Sequence, residues 1–267
     1  MKKKYITAQQ IDGHKAINTP HARELKEMGK NKVNIFLNGN YEQINGIIKN
    51  RLKGKIENIN FGEDYTITLK FFPEVNIHIL YYNYEDEEDE AFNRAELRFL
   101  FSGDKISWIP TEDTVSFIEL SLNYLEDLLK SEKKIYDIPN KKSDLLEMAL
   151  KQRTIPFKHL ESVHLGSLAE FVGGNVENND NIWILTKSFF QGMDIKLIYD
   201  KNNEILDLKF QGRNIKNINL YARNQLGIFF MNHCLRFLSI SYPKIEFPKI
   251  VKKTFSYPYI KKNFDSD

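Results

Sequence analysis

Two stretches of this chain carry one pattern at a constant offset, and that repetition restricts the fold more than any other feature. The first reads Tyr65…Ile67…Phe71-Phe72…Val75…Ile77…Ile79…Tyr81, and the second Trp183…Leu185…Phe189-Phe190…Met193…Ile195…Leu197…Tyr199. A nine-residue difference in length follows, where a hairpin loop tolerates it. A new constant offset then pairs Leu97, Phe99, Phe101, Gly103, Ile106 and Ile109 with Leu206, Leu208, Phe210, Gly212, Ile215 and Ile218. Both copies run on into a long helix, in which Leu125 and Leu128 match Cys234 and Phe237. Alternation alone makes any two amphipathic β-β-β-α units look alike. The paired Phe-Phe, the shared Tyr and the shared Gly after the third strand are what point to duplication. One such unit alone leaves a sheet face or edge uncovered, so the two are expected to pack about a pseudo-twofold axis.

The clean period of two in these segments predicts antiparallel strands with one wet face. In the first copy a less regular strand is expected over 56–61, ahead of the repeat. Pro110-Thr111-Glu112-Asp113 then starts a helix running to about Lys130, acidic where the helix dipole favours it. In the second copy strands are expected at 182–190, 194–199 and 205–210, with a helix over 219–240. Thr19-Pro20 opens a helix that Gly29 closes, and a further helix covers 41–52. Helices over 143–153 and 160–171 precede the second copy, the latter ending at Gly173-Gly174.

The fold class is therefore α+β, with internally duplicated antiparallel β-sheet-plus-helix units and an N-terminal helical extension. Residues 1–54 are that extension, with 1–18 as a loose arm. Residues 55–135 are the first repeat unit, and 142–241 are helices plus the second. The charged stretch 131–141, with Pro139, is the linker. Residues 242–267 are read as an extended tail pinned by its Phe and Tyr residues.

Composition narrows the function classes. Lys and Arg number 38 against 36 Asp and Glu, a net charge of +2. That balance gives no global field for nucleic acid or an anionic membrane. The single cysteine, Cys234, excludes an internal disulfide and a cysteine-based zinc or iron–sulfur site. Met1-Lys2-Lys3-Lys4 has the charge of a signal peptide, but Ala8-Gln9-Gln10-Ile11-Asp12 is no apolar core for one. No stretch approaches the roughly 18 apolar residues of a membrane helix. The expectation is a cytoplasmic protein with no membrane partner.

Chemistry-bearing residues are few. The acidic run at 85–90 lacks the Asp-x-Asp-x-Asp-Gly spacing of a calcium loop and reads as a solvated loop. His159 and His164 flank Glu161, but five residues of helix place them about 140° apart, so they do not share one ion. Cys234 follows His233 and takes a core position in the repeat. Arg223, Asn224, Gln225, Asn232 and Arg236 make the last long helix unusually polar. Phosphate-loop, dinucleotide, nucleophile-elbow and zinc-helix motifs are all absent. No metal and no cofactor is expected.

Residues 71–129 add a resemblance. Pro73…Val75-Asn76-Ile77-His78-Ile79-Leu80-Tyr81-Tyr82, then Asp89-Glu90-Ala91-Phe92, Leu100-Phe101 and Ile109-Pro110-Thr111-Glu112-Asp113, are similar to an uncharacterised prokaryotic family, domain of unknown function 3786. The resemblance covers about a fifth of the chain and brings no catalytic residues with it. Some members resemble partners of iron–sulfur or corrinoid modules, and this chain carries no cysteine cluster.

Two functional readings follow. The first is a non-catalytic binding or regulatory module whose partner is unknown, with another protein as one candidate. The second is an enzyme with an unfamiliar active site in the cleft between the two repeats. His159, His164, Arg223 and His233 are the candidate binding residues for either.

Overall fold

The structure is a computed structural model that describes residues 4–13, 19–84, 94–130, 135–136 and 141–264. It separates into two units, Met1–Lys133 and Lys134–Asp267. The acidic run at 85–90 and most of the expected linker lie outside the described residues.

Unit 1 begins with a short helix, α1 (Ala8–Ile11), then α2 (Pro20–Lys32), α3 (Asn34–Leu37) and α4 (Tyr41–Asn50). Thr19 Oγ1 caps α2 by accepting from the Ala22 N–H at 3.3 Å. Asn40 caps α4 the same way, accepting from the Gln43 N–H at 3.0 Å. Helix α2 does not stop at Gly29. A Cβ on Gly29 would lie 3.0 Å from the Leu97 carbonyl oxygen, so this glycine permits close approach of helix to strand rather than ending the helix. Strands β1 (Lys55–Glu57), β2 (Tyr65–Phe72), β3 (Val75–Asn83) and β4 (Ala95–Ser102) form an antiparallel sheet in sequence order. A 3₁₀ turn at Ile106–Trp108 leads into α5 (Thr111–Leu129), whose Phe117 ring stacks on Phe71 at 4.2 Å.

Unit 2 repeats the plan. Helices α6 (Asp144–Phe157) and α7 (Leu165–Val172) lead into β5 (Asn175–Asn179), β6 (Ile182–Phe190), β7 (Met193–Asp200) and β8 (Ile205–Gln211), again antiparallel in sequence order. A 3₁₀ turn at Ile215–Asn217 precedes α8 (Leu220–Ser241). Gly173 closes α7 in the left-handed conformation. Two short helices, α9 (Lys249–Lys252) and α10 (Tyr257–Asn263), end the chain.

The two sheets agree in register as well as order. Tyr65 pairs with Tyr81 as Trp183 pairs with Tyr199, and Tyr81 faces Leu97 as Tyr199 faces Leu206. The ladder slips at the same place, between Lys70 and Phe72 and between Ser188 and Phe190. A shared irregularity of this kind does not follow from amphipathic alternation.

The likeness also reaches back into the N-terminal helices. Phe36 packs its ring 5.8 Å from Tyr81, and Phe157 packs 6.3 Å from the matched Tyr199. Leu25 and Met28 are buried on α2 as Leu146 and Ala149 are on α6. Ile48, Leu52, Gly54 and Ile56 correspond to Leu168, Val172, Gly174 and Val176. Cβ atoms on the two glycines would crowd the carbonyl oxygens of Thr68 and Thr186, themselves a matched pair. The part the two units share is thus a pair of helical segments (α2–α3 with α4, and α6 with α7), four strands, a 3₁₀ turn and a long helix.

Two further expectations are corrected, and one strand was not expected. Residues 4–13 are packed, not a loose arm: Ile6 exchanges both backbone hydrogen bonds with Phe101, and Ala8 and Ile11 are buried. The C-terminal tail is helical rather than extended, and Phe247, Phe255, Tyr259 and Phe264 cluster with ring centroids 5.3–6.1 Å apart. Strand β5 had no expectation at all, because Asn175-Val176-Glu177-Asn178-Asn179 offers one apolar residue to an edge position.

Candidate functional site

In unit 1 a groove of ≈ 920 Å³ follows α2 and β4. Lys26, Gly29, Lys30, Val33, Asn34 and Leu37 line one wall, and Tyr84 with Arg94 to Arg98 lines the other. Among the described residues its one carboxylate is already engaged. Glu96 Oε2 accepts from Arg98 Nη2 at 2.7 Å and from the Tyr84 hydroxyl at 3.2 Å. The hydrogen bond from Arg98 holds its guanidinium above the usual arginine range, and Arg98 also lies over the Tyr82 ring at 4.6 Å. Lys26 and Arg94 make no ion pair among the described residues, and Lys30 reaches Glu27 only at 4.0 Å. Among the described residues, Lys26 and Arg94 therefore line the groove without an ion pair and Lys30 with only a long one.

Unit 2 has the same groove on the same elements. Its ≈ 590 Å³ is lined by Lys142 just before α6, by Glu147, Leu150, Lys151, Thr154, Ile155 and Lys158 from α6 and its end, by Tyr199, and by Glu204, Ile205 and Leu206 from the far wall. The match that pairs Leu25 with Leu146 and Phe36 with Phe157 puts Glu147 where unit 1 has Lys26 and Ile155 where it has Asn34. On the strand side Ala95 and Glu96 become Glu204 and Ile205. The groove is duplicated with the fold, but its charges are redistributed: Lys142 is paired with Asp207, and Glu147 and Glu204 stand beside Lys151 and Lys158.

The four candidate residues all fall in unit 2 and do not converge. His159 is exposed in the turn after α6 and lines a pocket of ≈ 660 Å³ with Tyr242. His164 Nδ1 lies 2.6 Å from the Tyr242 hydroxyl, which also accepts the Glu161 N–H at 2.9 Å. Arg223 and His233 are buried in α8 and line none of these grooves. Burial pulls the Arg223 guanidinium below its usual value, and His233 stacks on Phe171 at 4.6 Å. Burial pushes the neighbouring Cys234 thiol well up, away from a reactive thiolate.

Sequence reasoning missed the groove lysines and Arg94. The duplicated phenylalanines, Phe36 and Phe157, were the available signal. They align α2 with α6 and would have exposed the change of charge between them.

Unit 1 also holds a buried polar relay. Glu57 Oε1 accepts from Thr68 Oγ1 at 2.7 Å, His78 Nδ1 lies 2.8 Å from that same hydroxyl, and His78 Nε2 lies 2.8 Å from Ser102 Oγ. Thr68 has one proton and gives it to the carboxylate. With a neutral imidazole, His78 Nδ1–H donates to Thr68 and Nε2 accepts from Ser102. A hydroxyl donating to imidazole is the polarity of an activated nucleophile. Here the Tyr5 ring meets His78 edge-on at 5.0 Å, and Ser102 is only 2% exposed, so no substrate reaches it in this conformation. In unit 2 the matched Glu177, Thr186, Lys196 and Gln211 form no such relay.

Among the described residues no three His, Cys, Asp or Glu side chains gather closely enough to hold a metal ion, and no helix is long and apolar enough to cross a membrane. Comparison with protein-family models, with curated proteins and with solved structures gave no match.

Proposed function

We propose that the chain is a non-catalytic binding module whose unit 1 groove receives an acidic segment of a partner protein. The observation that carries this reading is the trio Lys26, Lys30 and Arg94 along one groove, with no ion pair for Lys26 or Arg94 among the described residues and only a 4.0 Å one, to Glu27, for Lys30. Such a charge arrangement favours encounter with an anionic partner and gives an affinity that falls with salt. A cytoplasmic location belongs to the proposal and rests on the single cysteine. The likeness of residues 71–129 to the uncharacterised prokaryotic family belongs to it too, and assigns no residue a role. A catalytic reading has one observation behind it, the Ser102–His78 pair, and would require residues 4–13 to leave the sheet.

The test is fluorescence anisotropy with a labelled octaglutamate peptide at low salt. The expected result is saturable binding that weakens as salt rises. Lys26→Glu, Lys30→Glu and Arg94→Glu together should weaken it at least tenfold without changing the melting transition. Replacing the acidic run 85–90 by Gly and Ser should strengthen it, since six carboxylates so near in sequence oppose an anionic ligand. Binding indifferent to the triple substitution, or none at low salt in either background, would overturn the reading.

A further inference from the structure

Helix α6 has two apolar faces where a surface helix needs one. Leu146, Ala149, Leu150 and Phe157 are buried against the rest of unit 2. On the opposite side Leu145, Met148 and Ile155 are 50%, 50% and 52% exposed. Their spacing of three and seven residues places them on one stripe. The fold does not require this stripe, because the matched residues on α2 and just after it are Glu24, Glu27 and Asn34. Ile205, also exposed, lines the same groove as Ile155 and extends the patch onto β8. Contiguous exposed apolar surface of this kind marks an interaction site.

The charges beside the stripe indicate what covers it. Asp144, Glu147, Lys151 and Lys158 share one flank, by their spacing of three, four and seven residues, and all four are exposed. The acids occupy the N-terminal half and the lysines the C-terminal half. When two helices pack antiparallel, each flank meets the same flank of its partner in reverse order. Acids then meet lysines at both ends, whereas in a parallel pair this flank meets the partner's other flank and the match is lost. The helix is complementary to itself in one orientation only.

We propose that the outward face of α6 is the interface of a homodimer, with α6 packed antiparallel on α6 of a second copy about a twofold axis near Met148 and Gln152. A twofold contact of this kind repeats each interaction, so one apolar stripe and one charged flank supply both halves.

Sedimentation equilibrium of the full chain over about 1–200 μM at moderate salt tests this, a range that brackets a micromolar dissociation constant. The expected result is a mass rising with concentration towards twice that of one chain. Met148→Glu, on an exposed position, should hold the protein at the monomer mass with an unchanged melting transition. Glu147→Lys alone and Lys151→Glu alone should each weaken association at least threefold. The double variant should restore it, because reversing both keeps the flank self-complementary. A wild-type chain monomeric throughout, a dimer indifferent to Met148→Glu, or a double variant weaker than either single one would each overturn the proposal.

Discussion

The two units build one sheet and treat its outer face in opposite ways. In unit 1 that face carries His78, Leu80, Tyr82, Leu100 and Ser102, and is sealed by Tyr5 and by Ile59 from the β1–β2 loop. The matched positions in unit 2 are Lys196, Ile198, Asp200, Lys209 and Gln211, none of them buried. On the first helix the roles exchange: α2 is polar outward, while α6 is apolar. The inner face, with its shared register and shared slip, is what fixes the architecture. The outer surfaces are free to diverge, and they are where charge and apolar area have been redistributed.

The strongest claim of equivalence concerns Gly103 and Gly212, at φ 112° and 116°. A Cβ on Gly103 would overlap the Glu74 carbonyl, and one on Gly212 the matched Gly192 carbonyl. Gly→Ala at either site should therefore destabilise its unit by on the order of 3 kcal/mol, from backbone strain plus a steric clash that the hairpin must move to relieve. Urea denaturation of the two single variants measures it. A large effect at one site with none at the other would break the equivalence at the turn between sheet and helix.

What was legible in the sequence is the part ruled by period and offset. The pattern Tyr65, Ile67, Phe71-Phe72 and its copy Trp183, Leu185, Phe189-Phe190 is enough to place β2 and β6 and to align them. Thr19-Pro20 marks the start of α2, but Gly29 has the look of a stop without being one. A glycine that ends a helix and one that admits a strand carbonyl are the same letter. Strand β5 was illegible because an edge strand needs little apolar surface. The groove cations were invisible for a different reason. Lys26 and Lys30 lie far from Arg94 in sequence, and only the packing of α2 on β4 gathers the three.

A second difference between the units lies in the loop joining the first two strands. Unit 2 turns through Asp180-Asn181 alone, whereas unit 1 uses residues 58–64 folded around Glu63. The Glu63 carboxylate accepts from the Ile59 N–H at 2.5 Å, the Phe61 N–H at 2.7 Å and the Thr66 hydroxyl at 2.9 Å. Burial pushes its pKa up, but those hydrogen bonds, with one from its own N–H, outweigh burial and hold it below the usual glutamate value. A carboxylate with a depressed folded pKa stabilises above its unfolded pKa and loses that contribution as pH falls through the folded one. Glu63→Gln should cost about 1–2 kcal/mol at neutral pH, and the difference should shrink steadily below about pH 4, the unperturbed glutamate range. Urea midpoints at neutral pH and at two steps below that range test this. A cost that does not change with pH would mean the loop is held by shape and not by the charge.

The smallest expected effect bears on the finest point of likeness, the β2–β3 hairpin. Glu74 sits at φ 59° where unit 2 has Gly192 at φ 68°. The Lys105 N–H donates to the Glu74 carbonyl at 3.2 Å, and the matched Asn214 N–H donates to the Gly192 carbonyl at 2.9 Å. The backbone is therefore the same, and glutamate bears a left-handed strain of about 1 kcal/mol that glycine does not. Against this, Glu74 pairs with Lys105 at 2.6 Å, a half-exposed contact worth at most about 1 kcal/mol. Glu74→Gly removes both, and because the strain outweighs the ion pair it should stabilise unit 1 by roughly 0.5 kcal/mol. Glu74→Ala keeps the strain and loses the pair, so it should destabilise slightly. The reverse change, Gly192→Ala, should cost about 1 kcal/mol, since the new Cβ meets Asn214 Nδ2 at 2.8 Å as well as the unfavourable φ. The ordering of the three variants in urea midpoint matters more than any one value. If Glu74→Gly and Glu74→Ala behave alike, the hairpin of unit 1 is unstrained and its likeness to unit 2 ends at the ladder.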